Sequence, residues 1–284
     1  MSSYIGLDIG GTKLMVAAGD ADGKVVRAVR RATPAGLDEG LAALDAMMAE
    51  VLEDQAPAGI GAAVGGPLDW RTGVVSPLHQ PAWRAVPLKA RFEAAWGCPL
   101  HVDVDTNIAA LGEYHLGGYR QARFLYLTLS TGMGGGLLLD GHLYRGAGGG
   151  HPEVGHQAVP FRCRHPERVF CECGAPDCLE GLVSGNAIAR IYGAPAEELD
   201  QEAWAEVAWN LGQGLRNLAT IYAPEVIVLG GGIAHGRGER LLAPARAVMA
   251  EHLRLVDPPQ VRVSVLGYDT ALRGALVAAR RGVA

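Results

Sequence analysis

Short runs of consecutive apolar residues that open into glycines alternate along this chain with stretches of helical period. Tyr4 to Asp8 predicts a buried strand running into Gly10-Gly11-Thr12-Lys13. Leu14 to Gly19 predicts a second strand, and a third follows the Asp22-Gly23 turn, because Asp-Gly favours a tight hairpin. Leu37 to Glu53 has helical apolar spacing, and Gly59 to Val64 reads as a strand ending at Gly65-Gly66-Pro67. Val74 to Trp83, with Pro77 and Pro81, reads as a loop suited to walling a pocket. Pro87 to Trp96 predicts a helix with Pro87 in its first turn. Leu100 to Val104 is a strand, after which Asp105-Thr106-Asn107 leads into a helix from Ile108 to Leu116.

The opening pattern returns half a chain later. Phe124 to Leu129 reads as a strand, Ser130 to Gly136 as a glycine turn, and Leu137 to Asp140 as the returning strand. Two such units predict a duplicated lobe with paired glycine loops facing one cleft. A third run, Glu225 to Leu229, opens into Gly230-Gly231-Gly232. The rest is scaffold. Gln201 to Tyr222 is a long helix whose Trp204 and Trp209 belong to core or interface. Leu241 to Leu253 is a helix, Val261 to Leu266 a strand, and Thr270 to Arg281 a final Ala-rich helix.

The first glycine loop is not a P-loop, since the Gly-x4-Gly-Lys spacing is missing and no helix follows. Glycines still let backbone N–H groups approach a phosphate closely. Gly10, Gly11, Thr12 and Lys13 on one loop, with Thr131, Gly132 and Gly134 on the other, are therefore candidate hands for the two ends of a polyphosphate. Gly231 and Gly232 are assigned to the nucleoside part, and Asp8 to a magnesium ion held through water. Asp105 lies at the carboxyl end of a strand, where open α/β sheets bind ligands, although an N-cap accounts for it equally well.

Composition narrows the class. The 284 residues are 49% hydrophobic and 19% charged, an ordinary globular balance long enough for two lobes. A net charge of −5 argues against a nucleic-acid surface. No apolar run reaches membrane-spanning length, and Met1-Ser2-Ser3 lacks the basic, apolar pattern of a signal peptide, so a cytoplasmic location is expected. Five cysteines, three of them clustered, suit a reducing compartment and a metal better than a disulfide framework.

That cluster is Cys171-x-Cys173-x4-Cys178, with His156 upstream. Three thiols and an imidazole make a complete tetrahedral zinc set, and a closed set leaves no position for water, so the ion folds the loop and performs no chemistry. Cys163, His165 and, more weakly, His151 compete for a place among the ligands. Glu153 and Glu180 flank the knuckle, and fixed carboxylates are strong acceptors for polyol hydroxyls.

Leu7-Asp-Ile-Gly-Gly-Thr-Lys13, Asp105-Thr-Asn107 before Ala109-Ala-Leu-Gly-Glu113, Ser130-Thr-Gly-Met-Gly-Gly-Gly136, Glu153-Val-Gly-His156, Cys171 to Glu180 and Leu229-Gly-Gly-Gly-Ile233 together resemble the ROK family of sugar kinases, repressors and related open reading frames. The resemblance covers nearly the whole chain, and the knuckle is its most specific part. It implies a two-lobed actin-like ATPase fold, α/β and built from duplicated ribonuclease-H-like units, with ATP and sugar in the cleft between the lobes. Residues 1–117, completed by a C-terminal helix over 270–284, would form the small lobe. Residues 118–269 would form the large lobe with the zinc knuckle. Asp105 is then the base, Glu153, Glu180 and Gly66 belong to the sugar site, and His156 contacts both zinc and sugar. The activity implied is ATP-dependent, magnesium-assisted phosphorylation of the glucose 6-hydroxyl. Fructose, mannose, N-acetylhexosamines and a non-catalytic sugar sensor are the alternatives, and a homodimer is expected. Family repressors carry a DNA-binding segment before the first strand, which here begins at Tyr4.

Two departures stand out. Family kinases commonly carry Asn-Asp at the strand end, where this chain has Val104-Asp105, and valine cannot hydrogen-bond a hydroxyl. Pro81-Ala82-Trp83 replaces an Asn-containing pattern, leaving His79 or Gln80 as substitutes. The segment between His156 and Cys171 is also longer than the family pattern, which would reshape the pocket rim.

Overall fold

A computed structural model describes residues 3–20, 22–53 and 55–283. Met1 and Ser2, part of the stretch read above for a leader pattern, lie outside the described residues, as does Ala284. The chain divides into two compact units. One comprises residues up to Tyr119, His142–His151 and the chain from Asp269 onward, and the other Arg120–Gly141 and Pro152–Tyr268.

The first unit holds β1 (Ser3–Ile9), β2 (Lys13–Gly19), β3 (Val25–Ala32), α1 (Leu37–Leu52), β4 (Pro57–Val64), the short strands β5 (Leu68–Asp69), β6 (Val74–Val75) and β7 (Val86–Pro87), α2 (Leu88–Trp96), β8 (Leu100–Val104) and α3 (Asp105–Leu116). Its main sheet runs β3-β2-β1-β4-β8, antiparallel through the hairpins and parallel from β1 onward. Ile5, Leu7 and Ile9 of β1 are fully buried and join Leu44, Met47 and Met48 of α1 in one core. The last helix of the chain returns here, with Gly274 lying against Gly112 of α3.

The second unit repeats the plan. β9 (Arg123–Leu129) and β10 (Met133–Leu139) form a hairpin, and β9, β12 (Val226–Gly230) and β13 (Gln260–Val263) are parallel, giving the order β10-β9-β12-β13, while β11 (His142–Leu143) falls within the first unit. The helices are α4 (Glu180–Val183), α5 (Gly185–Tyr192), α6 (Gln201–Tyr222), α7 (Gly232–Arg237) and α8 (Glu239–Glu251), with α9 (Thr270–Arg281) closing the chain in the first unit. The two hairpin-plus-parallel sheets are topological copies, the pattern that the repeated strand-glycine-strand motif predicts.

The structure departs from the expected elements in several places, among them the strand expected over 261–266, which is β13 and ends at Val263, and the helix expected over 241–253, which is α8, Glu239–Glu251. Gly134–Gly136 lie inside β10, not in a turn, because their backbone completes the ladder opposite Thr128, Leu127 and Tyr126. Pro87 ends β7 opposite Val74, since proline is tolerated at a strand edge, and α2 begins one residue later. Asp105 is the first helical residue of α3 and Val104 takes the cap position, so the N-cap reading of Asp105 does not apply. Trp83 is 1% exposed and packs on Gly40 of α1, which makes it core and not pocket wall.

Candidate functional site

In the second unit the metal set is assembled. His156, Cys171, Cys173 and Cys178 each offer one ligand atom, all within 4.8 Å of one another. Nδ1 of His156 lies 3.5 Å from Cys171 Sγ and 3.4 Å from Cys178 Sγ. A zinc tetrahedron with Zn–S of about 2.3 Å and Zn–N of about 2.0 Å has edges of roughly 3.5–3.8 Å, so the donors fit the ion. Among the described residues this is the one grouping of three or more such side chains with metal-binding spacing, and Cys163, His165 and His151 are not part of it. Cys163 Sγ instead accepts from the backbone of His165 at 3.4 Å. Cys171 and Cys178 are buried and Cys173 is exposed. Hydrogen bonds from the Ala175 backbone and the Cys171 thiol hold Cys173 down to about 7, whereas burial pushes Cys178 up to about 12. Zinc held by these four side chains would displace protons from at least the buried thiols.

The knuckle leans on the second glycine loop. The turn Val154–His156 rests against β10, where a Cβ on Gly155 would come within 2.4 Å of Met133 O, so only glycine permits the approach. Glu180, opening α4, accepts a hydrogen bond from Met133 N at 2.8 Å through Oε2, while Oε1 lies 3.8 Å from Cys171 Sγ. This carboxylate ties the knuckle to the loop, a link without a sequence signal. With Nδ1 turned to the thiols, His156 Nε2 faces the exposed Glu153, 3.9 Å from its Oε2. Glu153, His156 and Glu180 thus lie around one knuckle.

Beside the same loop is a cavity of about 530 Å³ lined by Ser130, Thr131, Asn186, Trp204, Gly232 and Arg237, among others. Its size suits a small ligand. The Ser130–Gly132 turn is closed by Ser130 N donating to Gly132 O at 3.0 Å, and α5 is anchored there by Gly185 N to Ser130 O at 2.7 Å and Asn186 N to Thr131 O at 3.1 Å. Gly231 turns the chain with φ of 90°, and a Cβ there would lie 2.4 Å from Leu129 O. Trp204 is buried as expected, but it also walls this cavity, with the Arg237 guanidinium 4.3 Å above its ring. Asn186 and Arg237 carry no motif and were not foreseeable from spacing.

In the first unit Asp8 is the penultimate residue of β1 and Asp105 opens α3. Burial first, then the negative charges of Asp105 and Asp269, push the Asp8 carboxyl up to about 6, while the Lys13 ammonium opposes them. Asp8, Asp105, Lys13 and the unanticipated Asp269 are therefore electrostatic neighbours. Among the described residues these carboxylates do not form a grouping of three or more with metal-binding spacing. Asp105 is exposed, with Oδ1 accepting from Thr106 N at 2.8 Å.

The Gly10–Lys13 loop is held by Gly10 N to Lys13 O at 3.0 Å and by Thr33 Oγ1 to Gly10 O at 2.6 Å. Gln80 is buried with Nε2 on Gly10 O at 3.3 Å, and His79 packs against Gly11. Both side chains put forward as sugar substitutes therefore support this loop. Gly66 faces Val104, whose Cγ1 would lie 3.5 Å from a Cβ at Gly66, and Val104 is 6% exposed.

The ROK family model matches residues 4–281. A glucokinase from Halalkalibacterium halodurans is 30% identical, with 95% of this chain and 93% of the relative covered. A fructokinase from Zymomonas mobilis is 34% identical over 85% and 83% of the two chains. The crystal structure of a ROK family glucokinase from Streptomyces griseus, in complex with glucose and AMPPNP, superposes with a TM-score of 0.82 at 30% identity, covering 99% and 100% of the two chains. Fold and site define a protein of the two-lobed actin-like ATPase class, built from duplicated α/β units. Within that class, the chain belongs to the ROK family.

Proposed function

We propose that this chain is an ATP-dependent hexose kinase of the glucokinase type, transferring the γ-phosphoryl group to the 6-hydroxyl of glucose. The observation that carries the reading is the exposed Asp105 carboxylate placed beside Asp8 and Lys13, an acceptor for a proton next to groups suited to a cation and a phosphate. The glucokinase and fructokinase relatives, and the complex of one relative with glucose and an ATP analogue, support the substrate classes.

Phosphoryl transfer asks the protein for positioning, charge neutralisation and a base. Asp105 accepts the proton of the attacking hydroxyl. Gly10, Gly11, Thr12 and Lys13 bind phosphate, as do Thr131, Gly132 and Gly134. Gly231 and Gly232 bind the nucleoside, with Gly232 lining the cavity that takes it. Glu153, Glu180, His156 Nε2 and the Gly66 backbone bind sugar hydroxyls, with Nε2 directed by the bond that Nδ1 would make to the metal. Asp8 would hold magnesium through water, and the ion would neutralise phosphate charge. Zinc on His156, Cys171, Cys173 and Cys178 would fix the loop carrying the sugar-binding groups. The unit completed by α9 acts as the small lobe and the unit with the knuckle as the large lobe of a cytoplasmic homodimer. Among the described residues no helix is long and apolar enough to cross a membrane.

The test is a coupled ADP-release assay with ATP and magnesium over free hexoses and hexosamines, with a no-sugar control. Turnover on glucose above that on other sugars is expected. A flat panel from folded, zinc-loaded protein would overturn the kinase reading in favour of a sensor.

A further inference from the structure

One buried carboxylate in the first unit has no part in the chemistry above. Asp103, on β8 two residues before Asp105, is 3% exposed. Its Oδ1 accepts from Val104 N at 2.7 Å and from Asn107 Nδ2 at 3.0 Å. Its Oδ2 accepts from Arg145 Nε at 3.1 Å and also from Arg145 Nη2. The ion pair is sealed: the two side chains are 9% and 4% exposed, the Trp70 ring lies 4.0 Å from the guanidinium carbon, and Arg145 Nη2 also donates to Val283 O.

The geometry points to Arg145 as a positioning residue that, by pairing with Asp103, fixes the strand-to-helix turn carrying Asp105. This rests on Asp105 being the base. Asp103 and Asn107 clasp each other across Val104, Asp105 and Thr106, so the backbone that presents Asp105 is bracketed by bonds on both sides. The clasp needs an oriented Asp103, and burying its charge requires a partner. Arg145 supplies it with two nitrogens, a forked geometry that a single ammonium does not reproduce. Among the described residues the Asn107 Oδ1 is buried without a hydrogen-bond partner, so the contribution of this amide is the Nδ2 bond. A loosened turn leaves Asp105 chemically intact but misplaced, and a misplacement of about 1 Å costs on the order of a hundredfold in rate.

The test compares kcat and KM for both substrates, using the sugar turned over in the panel, in three proteins besides wild type. Arg145→Met combined with Asp103→Asn removes both charges and leaves no buried ion unpaired, and Arg145→Lys keeps the charge without the fork. Asn107→Ser removes the clasp with little change in the core. The double variant is expected to lose tenfold or more in kcat with both KM values within twofold of wild type. Arg145→Lys should lie between, and Asn107→Ser should lose severalfold in kcat at an unchanged melting temperature. A kcat within twofold of wild type in Asn107→Ser, or in a folded double variant, overturns the proposal, as does a loss shared equally by kcat, KM and melting temperature. Asp105→Asn is run alongside. If it is inactive while those variants are normal, positioning alone falls, and if it turns over normally, the base assignment falls and takes the positioning with it.

Discussion

Replacing Asp8 by asparagine should stabilise the protein at neutral pH while weakening phosphoryl transfer. Asp8 is half-buried near the end of β1, and burial with the Asp105 and Asp269 charges raises its carboxyl from the ordinary 3.8 to about 6. The folded form therefore holds this proton more tightly than the unfolded chain. Between about pH 4 and pH 6 the unfolded chain ionises first, so folding becomes less favourable as pH rises, and above about 6 the whole cost is present. At about 1.4 kcal/mol per tenfold in proton affinity, the interval is worth about 3 kcal/mol at most, and water reaching the half-buried group brings the working figure to about 2 kcal/mol. Asparagine keeps the shape and sheds the charge. Urea unfolding of wild type and Asp8→Asn, without divalent cations, should show a gap near zero at about pH 4 that grows to about 2 kcal/mol in favour of the variant near pH 8. Added magnesium should narrow the gap by favouring ionised Asp8 in the wild type, and the variant should lose turnover in the ADP-release assay. A gap that does not change with pH, or a wild type more stable near pH 8, would refute the reasoning.

Four further outcomes are expected. Asp105→Asn should cut turnover by about 10²-fold or more with sugar binding retained by calorimetry, and near-normal turnover would remove Asp105 as base. Cys173→Ser should lower zinc content and melting temperature together, by roughly 5 °C or more, and a metal-free variant of unchanged stability would end the knuckle assignment. Val104→Asn places an amide beside Gly66 and should tighten glucose binding by about 1–3 kcal/mol, roughly five- to a hundredfold, read as a lower glucose KM. Glu180→Ala leaves Met133 N without its 2.8 Å acceptor and should raise the KM of both substrates, whereas an effect on sugar alone would uncouple Glu180 from the phosphate loop.

The sequence by itself determined most of the framework. Apolar runs such as Leu100–Val104, and the helices Gln201–Tyr222 and Thr270–Arg281, occur with the boundaries that local periodicity predicts, because strand and helix period are written in consecutive residues. The Cys/His grouping was equally legible, since thiols at short spacing leave few alternatives, and the coordinates bring His156, rather than Cys163, His165 or His151, to the three clustered thiols. Tertiary structure decided what depends on neighbours distant in sequence. It turned His156 Nδ1 to the thiols and Nε2 to Glu153, put Glu180 on Met133 N, and spent Gln80 on Gly10 O. It also brought Asp269 into the field of Asp8, and Arg145 onto Asp103 from 42 residues away. The physical reason is common to all five. A hydrogen bond or a charge acts over a few ångströms of space, and no local periodicity records which side chains folding will bring that close.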